Sequence, residues 1–85
     1  MLLKMYSRNS CPLCSEALEE LEKLKNDMEI EIEVVDIYSD DALLEKYQLM
    51  IPVVEYGGLV LGYGKIKKDF IRKRLLDEKR ETIVE

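Results

Sequence analysis

Met1-Leu2-Leu3-Lys4-Met5-Tyr6-Ser7-Arg8-Asn9-Ser10-Cys11-Pro12-Leu13-Cys14, residues 1–14, sets an apolar run ahead of a polar loop and a close cysteine pair. Leu2, Leu3, Met5 and Tyr6 suit a buried strand, and Ser7 to Ser10 supply loop and helix-starting chemistry. From Leu13 onward Ala17, Leu18, Leu21, Leu24 and Met28 recur at steps of three and four, which is one face of a helix; the other face is rich in Glu and Lys. The stretch therefore reads as strand, loop and helix, with the cysteines at the junction. They are the only two cysteines in the chain, so any sulfur chemistry happens there.

Asn26-Asp27 ends the helix. Ile30, Ile32, Val34, Val35 and Ile37 first alternate with Glu and then run together, which predicts a central strand. Ser39-Asp40-Asp41 is a helix start, with Ser39 as the capping side chain, and a short helix through Tyr47 follows. Met50-Ile51-Pro52-Val53-Val54-Glu55-Tyr56 is β-rich, Gly57-Gly58 is a two-residue hairpin turn, and Leu59-Val60-Leu61 returns. Gly62-Tyr63-Gly64 breaks that strand. Ile66, Phe70, Ile71 and Leu75 then share one face of a closing helix, and Glu78 to Glu85 read as a frayed end or short tail. The order βαβαββα predicts an α/β fold: a parallel crossover unit extended by an antiparallel hairpin, with helices covering the sheet.

Eighty-five residues, 47% of them apolar and 36% charged, predict a single globular domain spanning 1–85. The net charge of -5 argues against general affinity for nucleic acid or anionic lipid. The basic cluster of Lys65, Lys67, Lys68, Arg72, Lys73 and Arg74 is diluted by Asp69 and Asp77 and reads as a solvated helix face. Met1 to Met5 lack the charged leader and cleavage site of a secretory signal, and no apolar run reaches membrane-spanning length, so a cytoplasmic location is expected. There, a close cysteine pair is catalytic or metal-binding more often than a structural staple. The chain has no histidine, which removes the commonest general base and metal ligand.

If Cys11 caps the first helix, Pro12 falls at its first position, where a missing N–H costs nothing. Cys11 then faces free backbone amides. Those amides and the helix dipole stabilise a thiolate, the usual route by which a cysteine pKa falls from about 8.5 toward roughly 3.5–7.5. Cys14 lies three residues on, on the same face at about 5 Å, within reach of a disulfide. Arg8 can add positive charge beside the thiolate, and Leu13 is a rim contact. The competing reading of this spacing is half a zinc site. Closing one needs two further ligands, which means a homodimer or oxygen donors. Pro52 cannot donate to a sheet ladder and so marks a strand start, edge or bulge.

Taken together, Tyr6 to Cys14 with its Cys-Pro-Leu-Cys, the Val35-Asp36-Ile37 strand end, Ile51-Pro52-Val53-Val54 and Gly57-Gly58 closely resemble the glutaredoxin and thioredoxin superfamily, in order along nearly the whole chain. The likeness is greatest to small glutaredoxin-like proteins. It implies a thioredoxin-like, glutaredoxin-type fold with a central four-stranded mixed sheet flanked by helices. It makes Cys11 the attacking thiol, Cys14 the resolving thiol and Pro52 a cis-proline placed against them, with Ile51 offering backbone hydrogen bonds to an extended thiol substrate. Gly62 and Tyr63 fall at the family's glutathione-holding stretch. The chain departs from the family pattern there, with Gly62-Tyr63-Gly64-Lys65-Ile66 in place of a Gly-Gly pair followed by Asp. Met50-Ile51 likewise replaces Thr-Val before the proline, and Leu13 replaces an aromatic residue between the cysteines.

The expected function is a dithiol thiol-disulfide oxidoreductase acting on substrate proteins or small thiols. It would be reset by glutathione or a thioredoxin reductase-type system. No resident cofactor or metal is required, glutathione being a candidate co-substrate, and a monomer without nucleic-acid or membrane partners is expected. Two other readings stay open: a metal or iron-sulfur protein in which two chains pool their cysteines, and a non-catalytic redox-sensing domain.

Overall fold

The structure, a computed structural model, describes residues 1–84, with side chains placed through residue 78. Strand β1 (Leu2–Ser7) leads to helix α1 (Pro12–Leu24), strand β2 (Glu31–Asp36), a 3-10 turn (Ile37–Ser39) and helix α2 (Asp41–Tyr47). Strands β3 (Val53–Tyr56) and β4 (Leu59–Tyr63) form the hairpin, and helix α3 (Lys68–Val84) closes the chain. The sheet order is β2-β1-β3-β4, with β1 parallel to β2 and β3 antiparallel to both β1 and β4. This is the mixed sheet of the expected βαβαββα order.

Two apolar layers sandwich the sheet because side chains alternate along each strand. Leu3 and Met5 of β1, Val54 of β3 and Leu61 of β4 pack with Ala17, Leu21 and Leu24 of α1 and Ile71 and Leu75 of α3. On the opposite side Tyr6 and Val53 pack with Ile37 and Tyr47, and Leu43, Leu44, Met50 and Ile51 border them. The Tyr6 and Tyr47 rings stack with centroids 4.8 Å apart, which seats α2 on the sheet.

Several expectations need correction. β2 is an edge strand and not the central one: among the described residues it pairs only with β1, and Val34 is 51% exposed. Asp40 caps α2 where Ser39 was expected to. Its Oδ1 accepts from the Ala42 N–H at 2.8 Å, while the Ser39 hydroxyl donates to the Asp36 carbonyl at 2.6 Å. The carboxylate wins because Ser39 is already committed to the 3-10 turn. The β-rich run becomes strand only at Val53. β4 continues through Gly62 and Tyr63, with Leu61 the extra residue of a bulge between the Val54 and Glu55 pairings, and ends at Gly64 with φ +74°. Ile66 is buried but precedes α3, and Phe70 is half exposed. The helix runs on through Val84 across the stretch expected to be a tail; residue 85 lies outside the described residues. Gly57 and Gly58 have φ of +58° and +85°, the paired positive values of a tight hairpin turn. No helix among the described residues is long and apolar enough to cross a membrane.

Candidate functional site

The parallel β1–β2 crossover places the loop Arg8 to Ser10 at the C-terminal end of β1, where α1 begins. Cys11 is the N-cap of α1, with extended backbone (φ -115°, ψ 105°), and Pro12 takes the first helical position. The Cys14 N–H donates to Cys11 Sγ at 3.2 Å, and the Ser15 N–H donates to the Cys11 carbonyl at 3.1 Å. The sulfur thus does the work usually given to a capping oxygen. Both cysteines are free thiols.

The two differ in environment. Cys11 is partly open, whereas Cys14 is 5% exposed. Burial pushes the Cys14 thiol up to about 11, and its hydrogen bond with the Cys11 side chain pushes the same way. A backbone hydrogen bond from Arg8 and the Arg8 charge act in the opposite direction and do not prevail. Arg8 therefore touches the electrostatics of the pair, at Cys14. The arrangement offers one accessible sulfur beside a backbone donor and one shielded sulfur held as a thiol.

Cys11 opens into a groove of about 420 Å³ whose walls include Arg8, Pro12, Leu13, Leu49 and Ile51. The Ile51-Pro52 bond is cis, and Pro52 is buried immediately before β3. The Gly64 N–H is shared between the carbonyls of Pro52 at 2.9 Å and Met50 at 3.2 Å, tying the proline loop to the end of β4. Of the residues singled out in the sequence, Arg8, Cys11, Pro12, Leu13 and Ile51 meet in this groove, with Cys14 behind Cys11 and Pro52 behind Ile51.

Gly62 and Tyr63 belong to the same end of the sheet, since Tyr63 pairs with Val53, but they line a second groove of about 490 Å³ with Ile66, Phe70 and Arg74. A Cβ on Gly62 would stand 3.4 Å from the Phe70 ring, so this glycine admits α3 closely to the strand. No group of three or more His, Cys, Asp or Glu side chains suited to a metal ion occurs among the described residues.

Residues 2–78 match the model of the Glutaredoxin-like domain (DUF836) family. The chain belongs to that family. This glutaredoxin-like domain is also similar to solved structures. The X-ray structure of target protein XcR50 from X. campestris aligns with a TM-score of 0.77 at 29% identity, covering 88% of this chain and 96% of that one. Thioredoxin 1 from the thermophilic eubacterium Thermosipho africanus aligns at 0.58 and 16% identity, covering 99% and 98%. A malarial protein aligns at 0.63 and 14% identity, covering 89% and 93%. The likeness to thioredoxin 1 establishes the thioredoxin fold. No curated protein matches the sequence.

Reading the sequence missed Leu49. The glutaredoxin-like domain holds it 95% exposed at the edge of the Cys11 groove. A leucine just before a β-rich run carries no sequence signal that separates a core residue from a displayed one.

Proposed function

We propose that this glutaredoxin-like domain is a dithiol thiol-disulfide oxidoreductase. The observation that carries the reading is the unequal pair: Cys11 at a helix N-cap, open to a groove, and Cys14 buried directly behind it.

In the reduced protein the Cys11 sulfur attacks one sulfur of a substrate disulfide RS–SR′. A bond forms between Cys11 Sγ and RS, the S–S bond breaks, and R′S⁻ leaves and takes a proton. Cys14, once deprotonated, attacks Cys11 Sγ, expelling RS⁻, which is protonated in turn, and closing the Cys11–Cys14 bridge. Two electrons pass from the protein dithiol to the substrate, and both product thiols are released. An external dithiol, or two monothiols of the glutathione type, reverses the sequence and resets the pair. Ile51 makes no backbone hydrogen bond among the described residues, so its main chain is open to an extended substrate lying in the groove. No resident cofactor enters this scheme. A monomer working in the reducing cytoplasm fits it.

The test is disulfide exchange by purified protein and by Cys11→Ser and Cys14→Ser variants. Cys11→Ser is expected to abolish exchange, and Cys14→Ser to accumulate a stable mixed disulfide through Cys11. Undiminished exchange by Cys11→Ser overturns the reading.

A further inference from the structure

Leu49 is the most exposed large apolar side chain among the described residues, yet its backbone is held in place. The Gln48 N–H donates to the Leu44 carbonyl at 3.0 Å, the Met50 N–H donates to the Tyr47 carbonyl at 2.8 Å, and the Met50 carbonyl accepts from Gly64. The turn is thus pinned on one side to α2 and on the other to the end of β4. A turn whose backbone is already ordered spares a partner the cost of ordering it, so more of the gain from removing the side chain from water is kept as affinity.

Its surroundings indicate what would cover it. Leu13, Leu49 and Ile51 form an apolar collar around Cys11, and Arg8 is the one charged side chain among the described residues that line the groove. A small disulfide such as oxidised glutathione brings carboxylates and ammonium groups. Here its carboxylates meet one guanidinium and its ammonium groups meet no carboxylate, while the collar stays wet. A protein segment with an aliphatic or aromatic residue beside its disulfide cysteine covers the collar and brings no charge of its own that needs a partner there, while exposed Arg8 keeps its water.

Resting on the oxidoreductase reading above, we propose that Leu49 determines specificity in the Cys11 groove. It selects protein disulfides whose cysteine has an apolar neighbour over small charged disulfides. The chemistry is the same two-electron exchange; Leu49 acts by contact with the substrate.

The experiment measures kcat/KM of the full chain and of Leu49→Ser and Leu49→Met. The substrates are two peptide disulfides differing only in Leu or Ser beside the cysteine, and oxidised glutathione. The unmodified chain is expected to prefer the leucine peptide by roughly tenfold, equivalent to about 1.4 kcal/mol. Leu49→Ser should reduce that preference to under about twofold through KM alone, lower exchange with the leucine peptide more than with the serine peptide or oxidised glutathione, and be rescued by Leu49→Met. A preference that survives Leu49→Ser, or an equal loss on all three substrates, overturns the role of Leu49 and leaves the oxidoreductase reading intact. Absence of exchange by the unmodified chain with every substrate overturns both.

Discussion

The Cys14 N–H donates to Cys11 Sγ at 3.2 Å, so the residue whose thiol is buried supplies, through its backbone, a donor to the sulfur that is open. One turn of helix thereby gives two cysteines three residues apart opposite characters. Cys11 Sγ stands open beside a backbone donor at the helix start, whereas negative charge on Cys14 has to form out of water.

That asymmetry is measurable by alkylation. With Cys14 pushed up to about 11 from the ordinary 9.0, its thiolate is roughly one part in a thousand at pH 8. Reduced protein should take up one alkyl group per chain at neutral pH, at Cys11, by mass spectrometry. Modification of Cys14 should rise about tenfold per pH unit until pH approaches 11. The fold favours the neutral thiol, so the reduced protein loses stability as pH rises above the unfolded value near 9. Equal labelling of both cysteines at pH 7 contradicts this account.

Much of the fold and the cysteine end of the site were legible because their signals are local. The helical spacing from Ala17 to Leu24, the Gly57-Gly58 turn and the Cys11-Pro12 cap each depend on a few neighbouring residues. Strand order does not. Val34-Val35 reads as central because a run of β-branched residues looks the same whether one or two strands flank it. Only the pairing of β3 with β1, from the far end of the chain, puts β2 at the edge. The extension of β4 through Gly62 was hidden for a similar reason: glycine there makes room for Phe70 and Ile71, residues of a helix that comes later. Leu49 shows the limit most plainly, since its exposure depends on the turn being fixed by hydrogen bonds to α2 and β4.

Ser10 has φ +56°, a left-handed conformation that costs an L-residue about 1–2 kcal/mol. The Ser10→Gly exchange removes that cost and adds chain entropy to the unfolded state, so unfolding in denaturant should show a change within about 1 kcal/mol of zero. Ser10→Val, β-branched at the same φ, should destabilise by about 1–3 kcal/mol. A valine variant as stable as the parent would mean that the loop does not hold this conformation.

Tyr6 joins the sheet to α2 in two ways, stacking on Tyr47 and donating its hydroxyl to Glu55 Oε1 at 3.3 Å. Tyr6→Phe keeps the stack and loses the hydrogen bond, for an expected loss of about 0.5–1.5 kcal/mol. Tyr6→Ala empties the contact and should lose about 3–5 kcal/mol. Burial first, and Glu55 second, hold the Tyr6 hydroxyl above its ordinary 10.0, so its phenolate absorbance should appear late in an alkaline titration and Tyr6→Phe should remove that late part. Similar losses from the two variants would show that the stack contributes little.

Glu20 lies on the α1 face that the sequence presents as rich in Glu and Lys, and its Oε1 accepts from the Lys68 N–H at 2.8 Å and so caps α3 from another helix. Its Oε2 meets Lys23 Nζ at 3.3 Å, and nearby Lys68 Nζ reaches Asp27 Oδ2 at 3.2 Å. The backbone bond from Lys68, with Lys23 second, holds the Glu20 carboxyl below its ordinary 4.5. A depressed folded value means that the stabilisation is complete above pH 4.5 and fades as pH falls through the folded pKa. Glu20→Ala should therefore lower Tm by a few degrees at pH 7, and the gap to the parent should narrow as pH drops below about 4.5. Raising salt should shrink the Lys23 contribution and leave most of the effect, because a hydrogen bond to a helix N–H is screened less than an exposed ion pair. A gap constant from pH 7 to pH 3 would assign the loss to packing of the side-chain stem and remove the carboxylate from the account of how α3 docks on α1.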